Sequence, residues 1–232
     1  MPSSPKGNVP HHIALIPDGN RRWAKKKGLG VLVGHDKGIE NLANMLKWCR
    51  EAGVRVFTAW GFSTENFSRD RSEVQGLMKL FEKKLLESEG RNEVHKYRIR
   101  VRVLGRIGQF PKQVQEKIRE VMEKTKNYDR YQLNILLGYG GRQELVDAVR
   151  RLVGEGREVN EKNIASSLYT SGIPDPDLVI RTSGEQRTSG FLPWQSAYSE
   201  WYFSKKLWPD FSKRDFKAAL REYARRKRRF GK

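Results

Sequence analysis

Apolar and polar positions along this chain follow two alternating periods. Short apolar runs, rich in strand-forming residues, occupy positions 13–16, 54–60, 131–137, 178–180 and 201–203. Positions 98–103 alternate strictly between basic and aliphatic residues, as a strand with one wet face does. Between these runs the apolar spacing is helical. Ile39, Leu42, Ala43, Leu46 and Cys49 form one stripe, closed by Gly53. Val74, Leu77, Met78, Phe81 and Leu85 form a second, after a polar loop at 62–71. Pro111 opens a helix carrying Val114, Ile118, Val121 and Met122, and Gly140-Gly141 leads into one carrying Leu145, Val146, Val149 and Leu152. A basic helix closes the chain. Strands separated by helices of about 10–15 residues imply βαβ units, and so an α/β fold with a mainly parallel sheet covered on both faces.

A chain of 232 residues is long enough for one domain with a full core. Residues 1–10 are polar and proline-rich and are expected to form a flexible tail, leaving 11–232 as a single folded domain. No apolar run approaches the ~20 residues needed to span a bilayer, and no basic start followed by an apolar stretch resembles a secretory signal. Cys49 is the single cysteine and falls on an apolar helix face, so it is expected to be a buried core residue. An intracellular, cytoplasmic protein is expected. The charge adds something to this picture. The net charge is +19, and the last 22 residues hold ten Lys and Arg against Asp215 and Glu222. Such a balance favours anionic partners, whether phosphorylated substrates, nucleic acid or an acidic lipid surface.

Two turns carry the chemistry. The first follows the strand at 13–16 and reads Pro17-Asp18-Gly19-Asn20-Arg21-Arg22-Trp23. The second follows the strand at 178–180 and runs Arg181-Thr182-Ser183-Gly184-Glu185 through Arg187-Thr188-Ser189-Gly190-Phe191-Leu192-Pro193-Trp194-Gln195 to Glu200. Each packs carboxylates, arginines, small hydroxyls and glycine behind an apolar strand, the composition of a site for a phosphorylated ligand. A lone carboxylate among many cations suggests a divalent metal bridging to phosphate oxygens. The four histidines show no zinc-ligand spacing. Gly28, Gly30 and Gly34 follow a basic helix rather than a strand, so they lack the context of a dinucleotide loop. Tyr202 and Lys206 have the spacing of a reductase pair, but no matching glycine loop opens the chain.

At these residues the sequence resembles the cis-prenyltransferases, the undecaprenyl diphosphate synthase family, with similarity running from His12 to Gly231. The resemblance implies a six-stranded, largely parallel sheet flanked by helices in a single catalytic domain. It implies an enzyme that condenses isopentenyl diphosphate with an allylic diphosphate primer into a Z-configured polyprenyl diphosphate, with Mg²⁺. By that resemblance Asp18 is the essential acid that holds Mg²⁺, and Gly19, Asn20, Arg22 and the adjacent Arg21, Trp23 and His35 serve the allylic diphosphate. Ser63, Asn66 and Arg69, with Glu65 beside them, sit where the reacting ends of the substrates meet, Asn66 having a catalytic place and Phe62 and Phe67 forming walls. Arg181, Arg187 and Ser189, with Glu185 alongside, resemble the pocket for isopentenyl diphosphate, and Glu200 matches a carboxylate near the metal. Tyr198 and Trp201 read as packing residues. Arg229-Phe230-Gly231 resembles a motif that reaches the neighbouring site in a homodimer. The basic C-terminal end is expected to assist contact with a membrane surface.

Rival readings explain less. A nucleic-acid-binding protein gives no reason for Asp18 or Glu200, so no nucleic acid is expected. A silent partner subunit would have lost site residues that this chain keeps. The lack of an Asp-Asp-x-x-Asp cluster argues against an all-helical, trans-type enzyme. Three departures from the family pattern bear on substrate choice. Val31 stands where an arginine is usual, with Lys27 as a candidate replacement. Gly190 stands where asparagine is frequent. Leu136 and Leu137 stand where small residues are frequent, which leads to the expectation of shorter products.

Overall fold

The computed structural model describes residues 9–89 and 92–226. In chain order they form β1 (His12–Ile16), α1 (Asn20–Lys26), α2 (Val31–Glu51), β2 (Val56–Ser63), α3 (Arg71–Glu89), α4 (Asn92–Lys96), β3 (Ile99–Leu104), α5 (Lys112–Thr125), β4 (Tyr131–Tyr139), α6 (Gly141–Gly154), α7 (Glu161–Ser167), β5 (Leu178–Arg181), β6 (Glu200–Phe203) and α8 (Lys213–Arg225). The strands make one six-stranded sheet in the order β3-β4-β2-β1-β5-β6. Every neighbouring pair is parallel. Parallel strands end along a common edge, and the chain reverses its direction of growth between β1 and β5. Ligands of such sheets bind at that boundary, and both diagnostic turns leave from it.

Alternation along the strands divides the core. Ile13, Leu15, Phe57, Ala59, Leu178 and Ile180 face one layer, where they meet Met45 and Cys49 of α2 and Phe216, Ala219 and Tyr223 of α8. Farther along the same face, Phe62, Val103 and Leu137 meet Leu77 and Met78 of α3 and Val114 and Ile118 of α5. Ala14, Ile16, Val179 and Leu136 face the opposite layer, with Phe191 and Leu192 from the second turn. Cys49 is buried as expected.

Several expectations change at this level. The tail ends earlier than residue 10, because Pro10 is buried and Val9 packs on the core; residues 1–8 lie outside the described residues. The segment at 62–71 is not all loop. β2 continues to Ser63, a 3-10 turn spans Thr64–Ser68, and the strand register shifts between Trp60 and Phe62. That shift turns Phe62 onto the α3 side. On α6, Val146 is 45% exposed while Glu144 is 1% exposed, so the buried stripe includes a carboxylate in place of the expected valine. Tyr198, expected to pack, is 78% exposed. Trp201 does pack, against the Ala14–Val179 layer and the Phe203 ring. The Leu85 side chain lies outside the described residues.

Candidate active site

The two turns meet at the β1–β5 boundary. Register places Ile16 beside Arg181, so Asp18 and Arg181 leave the sheet together. The Asp18 backbone is pinned twice: its carbonyl accepts from Trp208 N–H at 3.0 Å and from the Thr182 hydroxyl at 2.7 Å. Its carboxylate takes Arg181 Nη2 at 3.0 Å and lies 3.5 Å from Arg22 Nη2. Arg181 is buried, and its Nη1 donates to Ser189 Oγ at 2.8 Å and to the Arg187 carbonyl. One guanidinium therefore ties the first turn to the second. Arg22 bridges from the other side, 3.1 Å from Glu185 and 2.6 Å from Ser183 Oγ, and Arg187 pairs with Glu185.

Local conformation makes this crowding feasible. Gly19 sits at φ +114 before the first turn of α1, and a Cβ there would lie 2.9 Å from the Leu207 side chain. The side-chain oxygen of Asn20 is buried without a hydrogen-bond partner among the described residues, and a Cβ at Gly38 of α2 would collide with it. A Cβ at Gly34 would collide with the Asn20 carbonyl, so Gly34 and Gly38 both serve the close approach of α1 and α2. In the second turn, Ser183, Gly184, Ser189 and Gly190 all have positive φ, which curls the backbone around the Arg181 fork.

A second cluster forms around Glu73, at the start of α3. Arg69 donates to it at 3.0 Å, Arg21 lies 3.6 Å away and the His35 Nε2 lies 3.7 Å away. Burial holds the His35 ring well down, at about 4, and the nearby Arg69 adds to the effect. His35 is thus neutral, and its buried Nε2 makes no hydrogen bond among the described residues. Asn66 accepts the Ser63 N–H at 3.1 Å through its side-chain oxygen. Sequence reading gave Glu73, which precedes the Val74–Leu85 stripe, no role of its own. The i, i+4 spacing of Arg69 and Glu73 was the available signal.

Below these clusters lies a cavity of about 1040 Å³. Asp18, Arg22, His35, Asn66 and Arg69 border its polar end, and Leu46, Phe57, Phe62, Phe81, Val101 and Leu137 line its length. Glu93, His95 and Lys124 stand at the far end. β2 runs along it for eight residues, roughly 26 Å at ~3.3 Å per residue. Phe67 stands behind this wall, its ring 4.8 Å from that of Phe62.

Four expected placements do not hold. Glu200 is not brought to Asp18. It opens β6 opposite Leu178, three residues below Arg181, and pairs with Arg226 at 2.7 Å. Trp23 turns away from the cavity to donate to Asp210 at 2.7 Å. Lys27 lies over the Trp23 ring and does not reach the Val31 position, whereas Lys25 lines the cavity. Glu65 borders a second, smaller cavity with Thr188, Ser189 and Gly190. Arg229 and Gly231 lie outside the described residues.

Sequence reading also missed a buried carboxylate behind the second turn. Glu144 accepts from Tyr139 at 2.6 Å, Gln195 at 3.0 Å and the Tyr169 N–H at 2.9 Å. Burial raises its pKa above the ordinary carboxylate range, against the pull of those donors. This network fixes Gln195, and with it the end of the turn.

A divalent cation fits the donor set at Asp18. No group of three or more His, Cys, Asp or Glu suited to a metal occurs among the described residues. Asp18 is 30% exposed, with Glu185 across Arg22. One or two carboxylates completed by substrate phosphates and water is the donor set that Mg²⁺ takes. No helix among the described residues is long and apolar enough to cross a membrane.

Comparison with known proteins agrees with this geometry. The prenyltransferase family model of undecaprenyl diphosphate synthases matches residues 16–231. An isoprenyl transferase of Thermotoga maritima is 50% identical over 96% of this chain and 97% of its own length. A tritrans,polycis-undecaprenyl-diphosphate synthase (geranylgeranyl-diphosphate specific) of Methanocaldococcus jannaschii is 47% identical, over 98% of this chain and 84% of its own. Among solved structures, lavandulyl diphosphate synthase from Lavandula x intermedia, in complex with dimethylallyl diphosphate, superposes with a TM-score of 0.91 at 33% identity, over 97% of this chain and 99% of its own. With an Asp18–Arg181 junction at the sheet boundary and a long apolar cavity beneath it, the chain belongs to the undecaprenyl diphosphate synthase family of cis-prenyltransferases.

Proposed function

We propose that this enzyme condenses isopentenyl diphosphate with an allylic diphosphate primer, adding Z-configured isoprene units and releasing pyrophosphate. The observation that carries the reading is the cavity: cationic and carboxylate groups stand at one end, and some 1040 Å³ of mostly apolar space lies behind them. An allylic diphosphate fits with its headgroup at Asn20, Arg21, Arg22 and Arg69 and its tail among Phe62, Phe81 and Leu137. Each five-carbon unit buried there contributes about 4 kcal/mol at ~0.8 kcal/mol per carbon.

Asp18 would hold Mg²⁺, which when bound neutralises charge on the leaving diphosphate. The allylic C–O bond breaks with its electron pair on the diphosphate, and Arg22 and the first-turn amides of α1 stabilise that charge. The isopentenyl double bond forms the new C–C bond, and the adjacent carbon then gives up a proton to the departing pyrophosphate, restoring a double bond. Arg187 and Ser189 hold the isopentenyl headgroup. Arg187 is 63% exposed and, among the described residues, its side chain pairs with Glu185 alone, so it can turn to a diphosphate, whereas Arg181 is committed to Asp18 and Ser189 and sets their positions. Ser63 fixes Asn66 by its oxygen, leaving the carboxamide nitrogen for the reacting ends. Neutral His35 adds no charge and offers a ring nitrogen.

We also propose a homodimer in which Arg229 and Gly231 complete the neighbour's site, a role that Glu200 would share only across such an interface. A chain ending at Arg228 tests this by losing activity without losing dimer mass. The basic C-terminal end is proposed to assist membrane contact at a cytoplasmic surface. The substrate assignment is tested by incubating the protein with labelled isopentenyl diphosphate and primers of five to twenty carbons, then sizing the products. Extension of at least one primer supports it, and extension of none refutes it.

A further inference from the structure

The segment at 25–33 turns from α1 into α2 at the rim of the cavity. Lys25, Lys26 and Lys27 are exposed in a row, and among the described residues none of the three forms an ion pair; Lys27 only lies over the Trp23 ring, at 5.7 Å. Immediately after them, Leu29 is 43% exposed, Leu32 41% and Val33 43%. Three large aliphatic side chains open to water beside three uncompensated cations are uncommon on a surface that meets only solvent. Lys25, Leu29 and Val31 also border the cavity, so the rim is continuous with the apolar interior.

We propose that this rim docks on an anionic bilayer, with Leu29, Leu32 and Val33 entering the headgroup boundary and Lys25, Lys26 and Lys27 facing acidic lipid headgroups. Charge and apolar exposure in one short segment are what interfacial binding uses. Each lysine near an anionic surface strengthens binding about fivefold, and the aliphatic groups add the buried-area term. The chain's net charge of +19 draws it to the same surface from a distance. A prenyl diphosphate at the membrane surface would enter the cavity by this rim, beside the groups that take its headgroup. That purpose rests on the proposed substrate, but the docking itself does not.

Val33→Cys labelled with an environment-sensitive dye tests the proposal without turnover. Cys49 is 2% exposed and burial pushes its thiol pKa up, so labelling is confined to position 33. Val159→Cys, exposed between α6 and α7 on the opposite layer, is the control. On phosphatidylcholine vesicles containing phosphatidylglycerol, the label at 33 should brighten and the label at 159 should not. Lys26→Gln with Lys27→Gln should weaken partitioning on the order of 25-fold, with an unchanged melting curve. The proposal is overturned by absence of partitioning, by equal binding to neutral vesicles, or by binding that leaves position 33 dark, which would place the contact elsewhere. Brightening that rises with protein concentration without vesicles would assign the rim to a second copy and overturn it as well.

Discussion

Arg181 and Asp18 meet across the β1–β5 boundary, the guanidinium Nη2 3.0 Å from Oδ2, with the arginine side chain only 5% exposed. The pair joins the two phosphate-type turns and sets the Asp18 carboxylate at the cavity mouth. Its asymmetry shapes what substitutions do. Asp18 can be reached by a ligand, whereas Arg181 has no solvent to fall back on.

Asp18→Ala should abolish condensation and also leave a buried cation without its carboxylate, costing about 1.5–3 kcal/mol of stability. Asp18→Asn keeps an acceptor for Arg181, so it should lose activity as fully while melting close to the parent. Product assays beside calorimetry separate the two effects. An active, well-folded Asp18→Asn enzyme would remove the metal from this residue.

Arg187→Ala and Ser189→Ala should raise KM for isopentenyl diphosphate about 10–150-fold, the worth of one charged hydrogen bond, and change KM for the primer little. Steady-state kinetics with each substrate varied in turn provides the check. Equal effects on both would mean that the turns are assigned to the wrong headgroups.

Adjacent leucines on β4 separate cavity shape from core packing. Leu137 lines the cavity, and Leu136, fully buried, faces the opposite layer. Leu137→Ala should shift products to greater length, because bulk at a close-packed wall limits what fits. Leu136→Ala should leave product length alone and cost about 2–5 kcal/mol of stability. Chromatographic sizing and thermal melts distinguish them, and lengthening by Leu136→Ala alone would reverse the assignment.

Which leucine faces the cavity could not be read from the sequence. Alternation says only that they differ, and the side depends on how β4 pairs with a strand whose register slips at Phe62. The strands themselves were legible, because a parallel sheet covered on both faces demands uninterrupted apolar runs. Asp18, Arg22, Arg181 and Ser189 were legible because their motifs are long and lie at strand ends. Glu144 was not. A helical stripe favours Val146, and only distant donors, the Gln195 amide 51 residues away and the Tyr169 N–H, together with the Tyr139 hydroxyl, make burial of a carboxylate tolerable. Glu73 was hidden for a related reason: its partners Arg21, His35 and Arg69 come from three separate segments.

Buried His12 gives the fold an acid-sensitive point. Its ring bonds the Pro174 carbonyl and Thr58 Oγ1, each at 2.7 Å, and burial lowers its pKa from 6.5 to about 4. The unfolded chain therefore binds a proton that the folded one refuses between those values. The stability from keeping the ring neutral is complete above pH 6.5 and is lost as pH falls toward 4, a change on the order of 3 kcal/mol. Melting curves of the parent and His12→Gln should converge across that interval. A constant gap from pH 7 to pH 4 would show that His12 does not titrate with folding.

The central claim concerns the bond that the site makes. The most direct measurement is the geometry of each new double bond in products grown from ¹³C-labelled isopentenyl diphosphate, read by NMR with Mg²⁺ present. The account predicts that every added unit is Z and that chelation of the metal stops addition. Units added in the E configuration, or no addition to any allylic primer by the folded enzyme, would contradict it.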